Sequence, residues 1–239
     1  MGKQPGGSLS DEEKNLRLMG PMSKYASWQF DSISQHVRGD VLEIGGGTGT
    51  MSRMLLAKSN PASLTVTETN PKNLRELKRH LEGKCSLGDD DLEKGAPAGF
   101  LERFDTVVSV NVMEHVADDR TFFRNCCACL KKGGRLLIIV PAMRSLFGTV
   151  DEADSHKRRY EKADLRALAG ESGLRILSLR YMNLPGAIGW YYHGKIRKLS
   201  VHAAGDLSLF EHLVPLFRAA ESIVPPPFGL SLVFVGEKQ

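Results

Sequence analysis

The sequence predicts an α/β fold in which helices cover both faces of a mostly parallel sheet. Short apolar, β-branched runs alternate with helical patterns through the first 140 residues. Because these runs are mostly hydrophobic, we expect strands that are buried on both faces. Four of the five residues at 45–49 are glycine, and they directly follow the first run. Glycines gathered between a strand and a helix indicate a binding site.

The first two strand–helix pairs follow from local patterns. Three of the four residues at 41–44 are aliphatic, and glycine follows them, which predicts a buried strand. Residues 50–58 show helical apolar spacing. Residues 64–67 have high β-propensity and predict a second strand. Pro71 is expected in the first turn of the next helix, where proline is tolerated.

The sequence at 104–141 predicts two further strands and the helix between them. Residues 104–110 predict a strand rich in valine, and residues 121–131 predict a helix that carries three of the four cysteines. The pair Gly133-Gly134 is interpreted as the stop signal of that helix. Residues 136–140 form the most apolar predicted strand, which Pro141 closes.

After residue 150 the regular alternation gives way to a longer insertion. We expect a helix at 164–169, strands at 175–181 and 230–235, and between those strands an insert at about 185–228. Inserts beyond the strand ends of α/β domains commonly help to build the ligand site. We therefore expect this cap insert to help select the substrate.

The length and composition of the chain limit the classes of protein to which it can belong. The 239 residues correspond to about 1.6 average domains, and we expect a flexible tail at 1–15 and one domain at 16–239. A formal net charge of +4 is small for a nucleic-acid binder. No segment has the length or apolarity of a membrane helix or a secretory signal, so we expect a cytoplasmic protein without stable membrane insertion. The spacing of the cysteines favours small buried side chains over a metal site.

The glycine loop has the pattern G-x-G-x-G at Gly45, Gly47 and Gly49. A dinucleotide-binding fingerprint has a further glycine or alanine at the position of Thr50, and a phosphate loop would end in G-K-[ST]. The loop therefore argues against both NAD and ATP.

Polar side chains follow the other predicted strands. Glu68 lies 23 residues after Gly45, where a carboxylate can accept hydrogen bonds from both ribose hydroxyls. Asp89 and Asp90 follow a further strand region, where one of them can accept a bond from an adenine amino group, and Asn111 ends the strand at 104–110. These groups recur at the edge where an open α/β sheet binds its ligand.

At these positions the sequence resembles the class I S-adenosylmethionine-dependent methyltransferases. The resemblance covers residues 20–182 and is carried by VLEIGGGTGT (41–50), Glu68, GDD (88–90), FDTVVSVNVMEHV (104–116) and LKKGGRLLIIVP (130–141). It implies a Rossmann-like methyltransferase fold: a seven-stranded, mostly parallel sheet with helices on both faces and an antiparallel last strand. It also implies S-adenosylmethionine as cofactor and S-adenosylhomocysteine as product.

The resemblance also implies roles for single residues. Glu68 would hold the ribose, Asp89 or Asp90 the adenine, Asn111 would line the path of the methyl group, and His115 would close over the cofactor. The methionine part would lie near Glu43, Gly45, Gly46, Gly47, Thr48 and Gly49. Tyr25 is expected either to cover the cofactor carboxylate or to pack on the sheet. Glu114 is expected either to have a functional role or to cap the next helix.

The segment 147–160 contains H-x-R-R-Y, which resembles a segment of a bacterial subgroup of these methyltransferases. His156 is a candidate general base, while Arg159 and Tyr160 are candidate substrate contacts. The alternative is a charged loop in which Asp151 and Asp154 pair with Lys157 and Arg158.

In the insert, Asn183, Trp190 and Tyr191 suit a pocket for a small organic molecule, and the alternative is a cap helix packed on the sheet.

The sequence thus predicts methyl transfer to an oxygen or nitrogen atom of a small-molecule acceptor, such as a metabolite. A sugar or lipid-linked sugar is the alternative acceptor, and we expect neither nucleic acid as a partner nor a bound metal. Two other classes remain: a nicotinamide-dependent reductase, against which Thr50 argues, and a module that binds the cofactor without catalysis.

Overall fold

The sheet has seven strands in the computed structural model, which describes residues 23–199 and 204–239. The spatial order is β3-β2-β1-β4-β5-β7-β6. The strands are β1 Asp40–Ile44, β2 Ser63–Thr67, β3 Ser86–Gly88, β4 Phe104–Val110, β5 Leu130–Pro141, β6 Leu174–Met182 and β7 Ser231–Lys238. Only β7 runs against its neighbours β5 and β6. The predicted fold class is therefore confirmed.

Helices connect the strands and cover both faces of the sheet. They are α1 Ser23–Asp31, α2 Thr50–Met54, α3 Pro71–Leu81, α4 Asp119–Ala128, α5 Thr149–Ala153, α6 Lys162–Glu171, α7 Leu184–Tyr191 and α8 Ala204–Ile223. The predicted helix at 50–58 is α2 continued by a π-helical stretch, Leu55–Ser59. Pro71 begins α3 as expected, and the Asn70 side chain caps that helix by accepting from the Lys72 N–H at 2.9 Å.

Two apolar clusters hold the layers together. On one face, β-strand residues such as Leu136 and Ile138 pack with Phe122, Phe123 and other residues of α4 and α6. On the other face, Val66 and Leu137 pack with residues of α1, α2 and α3. Alternate residues of β5 thus point to opposite clusters, as the period of a strand requires. This burial on both faces explains why apolar residues follow one another directly in the central strands.

The order of the strands creates a reversal point between β1 and β4. From β1 the chain moves outward to β2 and β3, and then returns to place β4 on the other side of β1. Open α/β sheets bind ligands in the crevice beyond the carboxyl ends of the strands at such a point. The glycine loop follows β1, and Asn111 follows β4.

The predicted end of the cysteine-bearing helix is wrong. That helix ends at Ala128, and β5 already begins at Leu130, which pairs with Phe104. Gly133 and Gly134 lie inside β5, where the register with β4 shifts before Arg135 pairs with Thr106. The glycine pair therefore marks an irregularity in a strand rather than a helix stop. Cys126, Cys127 and Cys129 are buried in the core as expected.

The insert between β6 and β7 contains α7, a π-helical stretch at Tyr192–Ile196, and α8. The tail expected at 1–15 lies outside the described residues. Among residues 23–199 and 204–239, none of the helices combines the length and the apolarity needed to cross a bilayer.

Candidate active site

The glycine loop forms a tight turn at the end of β1. Gly45, Gly47 and Gly49 have φ angles of +73°, +54° and +82°, which residues with a side chain rarely adopt. A Cβ atom at Gly45 would lie 2.4 Å from Val112, whereas one at Gly47 would meet nothing within 4 Å. The backbone of the loop is therefore packed against the fold at Gly45 and open to a ligand at Gly47.

Glu68 fastens this loop to the end of β2. One carboxylate oxygen accepts the Gly47 N–H at 2.7 Å, and the other accepts the Asn70 N–H at 2.7 Å. Each carboxylate oxygen can accept more than one hydrogen bond. Glu68 can therefore orient the loop and still accept bonds from two hydroxyl groups of a ligand.

Glu43 is buried in β1, two residues before the loop. Its Oε2 has no hydrogen-bond partner among the described residues. Burial raises the pKa of Glu43 to about 8, the nearby Glu68 adds to this rise, and Ser52 opposes it. Such a carboxyl is ready to ionise when a cation comes close.

The two aspartates after β3 differ in their surroundings. Asp89 is exposed, whereas Asp90 is half-buried and turns back over the strand end. A Cβ atom at Gly88 would lie 2.7 Å from Asp90 Oδ2. Gly88 in turn accepts the Glu68 N–H at 3.0 Å, which ties this strand end to the glycine-loop side of the sheet.

Asn111 has an exposed side chain and a φ angle of +54°, and its N–H donates to Ile139 at 2.9 Å. The left-handed backbone turns the chain out of β4 and into the segment that carries Glu114 and His115. The predicted cofactor residues at four successive strand ends therefore lie on one edge of the sheet.

On the other half of this edge, Asp151 organises the segment after β5. Its carboxylate accepts bonds from Arg159 Nε at 2.7 Å, Trp190 Nε1 at 3.1 Å and the Gly148 N–H at 3.0 Å. His156 Nδ1 lies 2.9 Å from Asp151 Oδ1. The alternative expectation of a charged loop differs from these contacts, because Asp151 pairs with His156 and Arg159. Arg158 pairs with Asp119 at 2.9 Å.

His156 meets Glu114 and His115 beside this network. Burial lowers the pKa of His156, but the hydrogen bond to Asp151 and the charge of Glu114 outweigh it, and the net shift is upward. Burial raises the pKa of Glu114 to about 7 and lowers that of His115 to about 4. Glu114 does not cap the following helix, because the Asp118 side chain accepts the Thr121 N–H at 3.0 Å.

Arg159 and Tyr160 are almost completely buried. Arg159 also donates to the Ala142 carbonyl at 3.0 Å, and its ring partner Trp190 lies 4.7 Å from the guanidinium carbon. The Tyr160 hydroxyl donates to the Met113 carbonyl at 3.1 Å and contacts Asp119. The Tyr160 contacts join the segment after β5 to the loop after β4. Arg159 instead holds that segment to Ala142, at the end of β5, and to α7.

The remaining predicted residues spread over the same half of the sheet. Asn183 is buried and caps α7 by accepting the Gly186 N–H at 2.8 Å, while Tyr191 is half exposed on that helix. Tyr25 is buried in α1, and its hydroxyl lies 3.4 Å from Ser231 Oγ at the start of β7. Packing of Tyr25 on the sheet, one of the two expectations, is thus observed.

Sequence reasoning missed Asp151 as a partner of His156 and Arg159. The i, i+5 spacing of Asp151 and His156 matches neither a helical nor a strand period, so pattern analysis gives the three residues no common face. A signal was available in their composition, because an acid, a histidine and an arginine within nine residues can neutralise one another when buried.

The strand order, the glycine loop and the polar groups at the strand ends together define the class I S-adenosylmethionine-dependent methyltransferase fold. Residues 42–136 match a family described as a methyltransferase domain. This range includes the glycine loop, Glu68 and Asn111, and it ends within β5, before His156. Residues 42–136 are therefore similar to a methyltransferase domain, and the chain has the class I methyltransferase fold.

Curated relatives share the name ubiquinone biosynthesis O-methyltransferase. The chain is 37% identical over 97 residues to the protein from Methylobacterium sp. (strain 4-46), which covers 39% of this chain and 37% of that protein. It is 29% identical over 138 residues to the protein from Methylocella silvestris, which covers 56% and 49%. The chain therefore matches half or less of the length of these relatives.

Solved structures agree with the fold over nearly the whole chain. A sarcosine dimethylglycine methyltransferase candidate from Galdieria sulphuraria has a TM-score of 0.65 at 13% identity, and covers 96% of this chain and 98% of its own. Phosphoethanolamine N-methyltransferase 2 from Haemonchus contortus, in complex with S-adenosyl-L-methionine, has a TM-score of 0.59 at 16% identity, and covers 98% and 61%.

Proposed function

We propose that this protein transfers the methyl group of S-adenosylmethionine to an oxygen atom of a small organic acceptor. The observation that carries the proposal is the bridge made by Glu68 between Gly47 and Asn70 at the reversal point of the sheet. The bridge sets an open glycine backbone beside a carboxylate that can still accept two hydroxyl hydrogen bonds. A ribose with an attached amino acid fits this combination.

The cofactor roles are distributed along the strand ends. We assign the ribose to Glu68, the adenine to Asp90 rather than the exposed Asp89, and the ammonium group to Glu43. Asn111 faces the methyl group from the end of β4. A bound ammonium would ionise Glu43 and provide the charge partner that this buried carboxyl lacks.

The acceptor is assigned to the half of the edge that holds Glu114, His115 and His156. Names of the curated relatives favour an oxygen acceptor. The sulfonium already activates the methyl group, so alignment of the acceptor supplies much of the rate. A hydroxyl acceptor must also lose its proton, and the cluster around His156 is the place where we expect this loss.

Product analysis with labelled cofactor tests the function. Methyl-labelled S-adenosylmethionine is incubated with separate panels of phenols, catechols and sugars, and labelled products are identified by mass spectrometry. We expect O-methylated product from one class. His156→Ala should lower turnover about 100-fold or more while cofactor binding is unchanged. Cofactor binding without transfer to any acceptor would instead indicate a non-catalytic binding module.

A further inference from the structure

Three side chains with metal-binding atoms converge next to the loop after β4. One ligand atom each of Glu114, His115 and His156 lies within 4.8 Å of the other two. His156 Nε2 is 4.0 Å from Glu114 Oε1, and the two imidazole rings meet edge to face with centroids 4.9 Å apart. Ligand atoms of a tetrahedral zinc site are about 3.3 Å apart. Side-chain rotations that close these gaps by about 1.5 Å or less would complete the geometry.

Glu114 supplies an independent sign that a cation belongs here. The residue is fully buried, and neither of its oxygens accepts a hydrogen bond from any described residue. A buried carboxylate without hydrogen bonds is costly unless a positive charge is coordinated or paired with it. A metal ion between Glu114 and the two imidazoles would remove this cost.

Both histidines have the outer hydrogen bonds that metal ligands need. His156 Nδ1 is 2.9 Å from Asp151 Oδ1, so its Nε2 is left facing Glu114. His115 is hydrogen-bonded to the backbone of Ser155. Metal-binding histidines almost always donate their second ring nitrogen to a carboxylate or a backbone carbonyl, which fixes the tautomer and the ring orientation.

The backbone also holds the two contributing segments together. The Lys157 N–H donates to the Glu114 carbonyl at 2.8 Å, and the His156 N–H donates to the Asp151 carbonyl at 2.8 Å. The three side chains are therefore positioned by main-chain bonds, and His156 remains partly accessible from solvent. An ion has both a fixed site and a path of entry.

We propose that Glu114, His115 and His156 bind one divalent transition-metal ion, with Zn²⁺ as the best-fitting ion. Imidazole ligands favour Zn²⁺ over Mg²⁺, and three protein ligands leave a coordination position open. If the proposed function holds, that open position takes the acceptor oxygen, whose proton then leaves to solvent more easily because the ion lowers its pKa. From the sequence alone, no metal site is expected here.

Metal titration of the purified full-length chain tests the site. Calorimetry with Zn²⁺ should give one ion per chain in the wild type and in His80→Ala, which changes an exposed histidine of α3. Glu114→Gln and His156→Ala should each weaken binding about 100-fold or more. Thermal melting without metal shows that each variant is folded. Binding that persists unchanged in both variants, or no binding by the wild type, would overturn the proposal.

Cobalt spectroscopy identifies the ligands directly. Co²⁺ bound to two imidazoles and a carboxylate should give visible d–d absorption without the near-ultraviolet band of a thiolate ligand. A thiolate band would assign the metal to the cysteines and contradict the proposed site. These readouts need neither S-adenosylmethionine nor an acceptor. Metal binding without methyl transfer would therefore refute the proposed function alone, and methyl transfer without metal binding would refute the metal site alone.

Discussion

Two buried glutamates at adjacent strand ends have different hydrogen bonds and therefore different expected roles. Glu68 accepts two backbone N–H groups, whereas Glu43 has an oxygen without a hydrogen-bond partner in the described part of the chain. Burial raises the pKa of Glu43 to about 8. Glu68 is thus suited to a neutral polyol and Glu43 to a cation.

The raised pKa of Glu43 predicts a dependence of stability on pH. Because the folded pKa lies above the unfolded value, the stability that the protonated carboxyl contributes is present below about pH 4.5 and is lost as the pH rises towards 8. Glu43→Gln cannot ionise. Without cofactor, its free energy of unfolding should exceed that of the wild type by up to about 4 kcal/mol at pH 8.5, and by little at pH 4.5.

Urea denaturation at both pH values measures this difference. Glu82→Gln, which changes an exposed carboxyl after α3, is the matched control and should behave like the wild type at each pH. If the stability difference between Glu43→Gln and the wild type were the same at pH 4.5 and 8.5, the pKa of Glu43 would not be raised in the folded protein and its assignment would fail.

At the scale of elements, the segment after β5 depends on one buried ion pair. Asp151 and Arg159 are both nearly inaccessible to solvent, and Trp190 of α7 joins them. Helix α5 and the insert therefore meet at the Asp151 carboxylate, and Arg159 links this carboxylate to Ala142 at the end of β5. Removal of one member of a buried pair leaves an uncompensated charge.

Arg159→Met should accordingly lower the free energy of unfolding by about 3 kcal/mol. Its neighbour offers a matched control, because Arg158 is partly exposed and pairs with Asp119. Arg158→Met should lower the free energy of unfolding by only about 0.5 kcal/mol. Chemical denaturation of both variants at pH 7 gives the comparison, and equal losses would show that the buried pair does not stabilise the segment.

The boundaries of the strands show which elements local sequence patterns can predict. β1, β2 and β4 are correctly predicted to within one residue, because short aliphatic runs bounded by glycine or polar residues define them. The start of β5 is not correctly predicted. Leu130 joins the sheet by pairing with Phe104, and no local periodicity in the sequence indicates that pairing.

The two halves of the candidate site differ in the same way. The proposed cofactor residues could be placed on one edge of the sheet from the sequence, because they follow successive strands and parallel strands bring their ends to one edge. The cluster of Glu114, His115 and His156 could not be predicted in this way. Glu114 and His156 are brought together by the hydrogen bond from the Lys157 N–H to the Glu114 carbonyl and by the hydrogen bond from the buried Tyr160 to Met113. Such contacts arise only once the segment has folded.

In the whole molecule, the matched family domain covers β1 to β4 and the first part of β5, and the rest of the sheet lies on the side of the proposed acceptor site. The domain at 42–136 contains the proposed cofactor residues from Glu43 to His115, whereas Tyr25, β6, β7 and the insert between these strands lie outside it. The proposed acceptor residue His156 also lies outside that range. The proposed methyl transfer near His156 therefore depends on binding of S-adenosylmethionine at the ends of β1 to β4.

Calorimetric titration of the purified chain with S-adenosylmethionine tests that claim most directly. We expect one site per chain, no binding of NADH, and affinity about 30-fold or more lower in Glu68→Ala, because hydrogen bonds to the charged carboxylate are lost. Glu82→Ala, an exposed carboxylate variant, should bind like the wild type. Absence of binding by the wild type, or equal affinity in Glu68→Ala, would contradict the account.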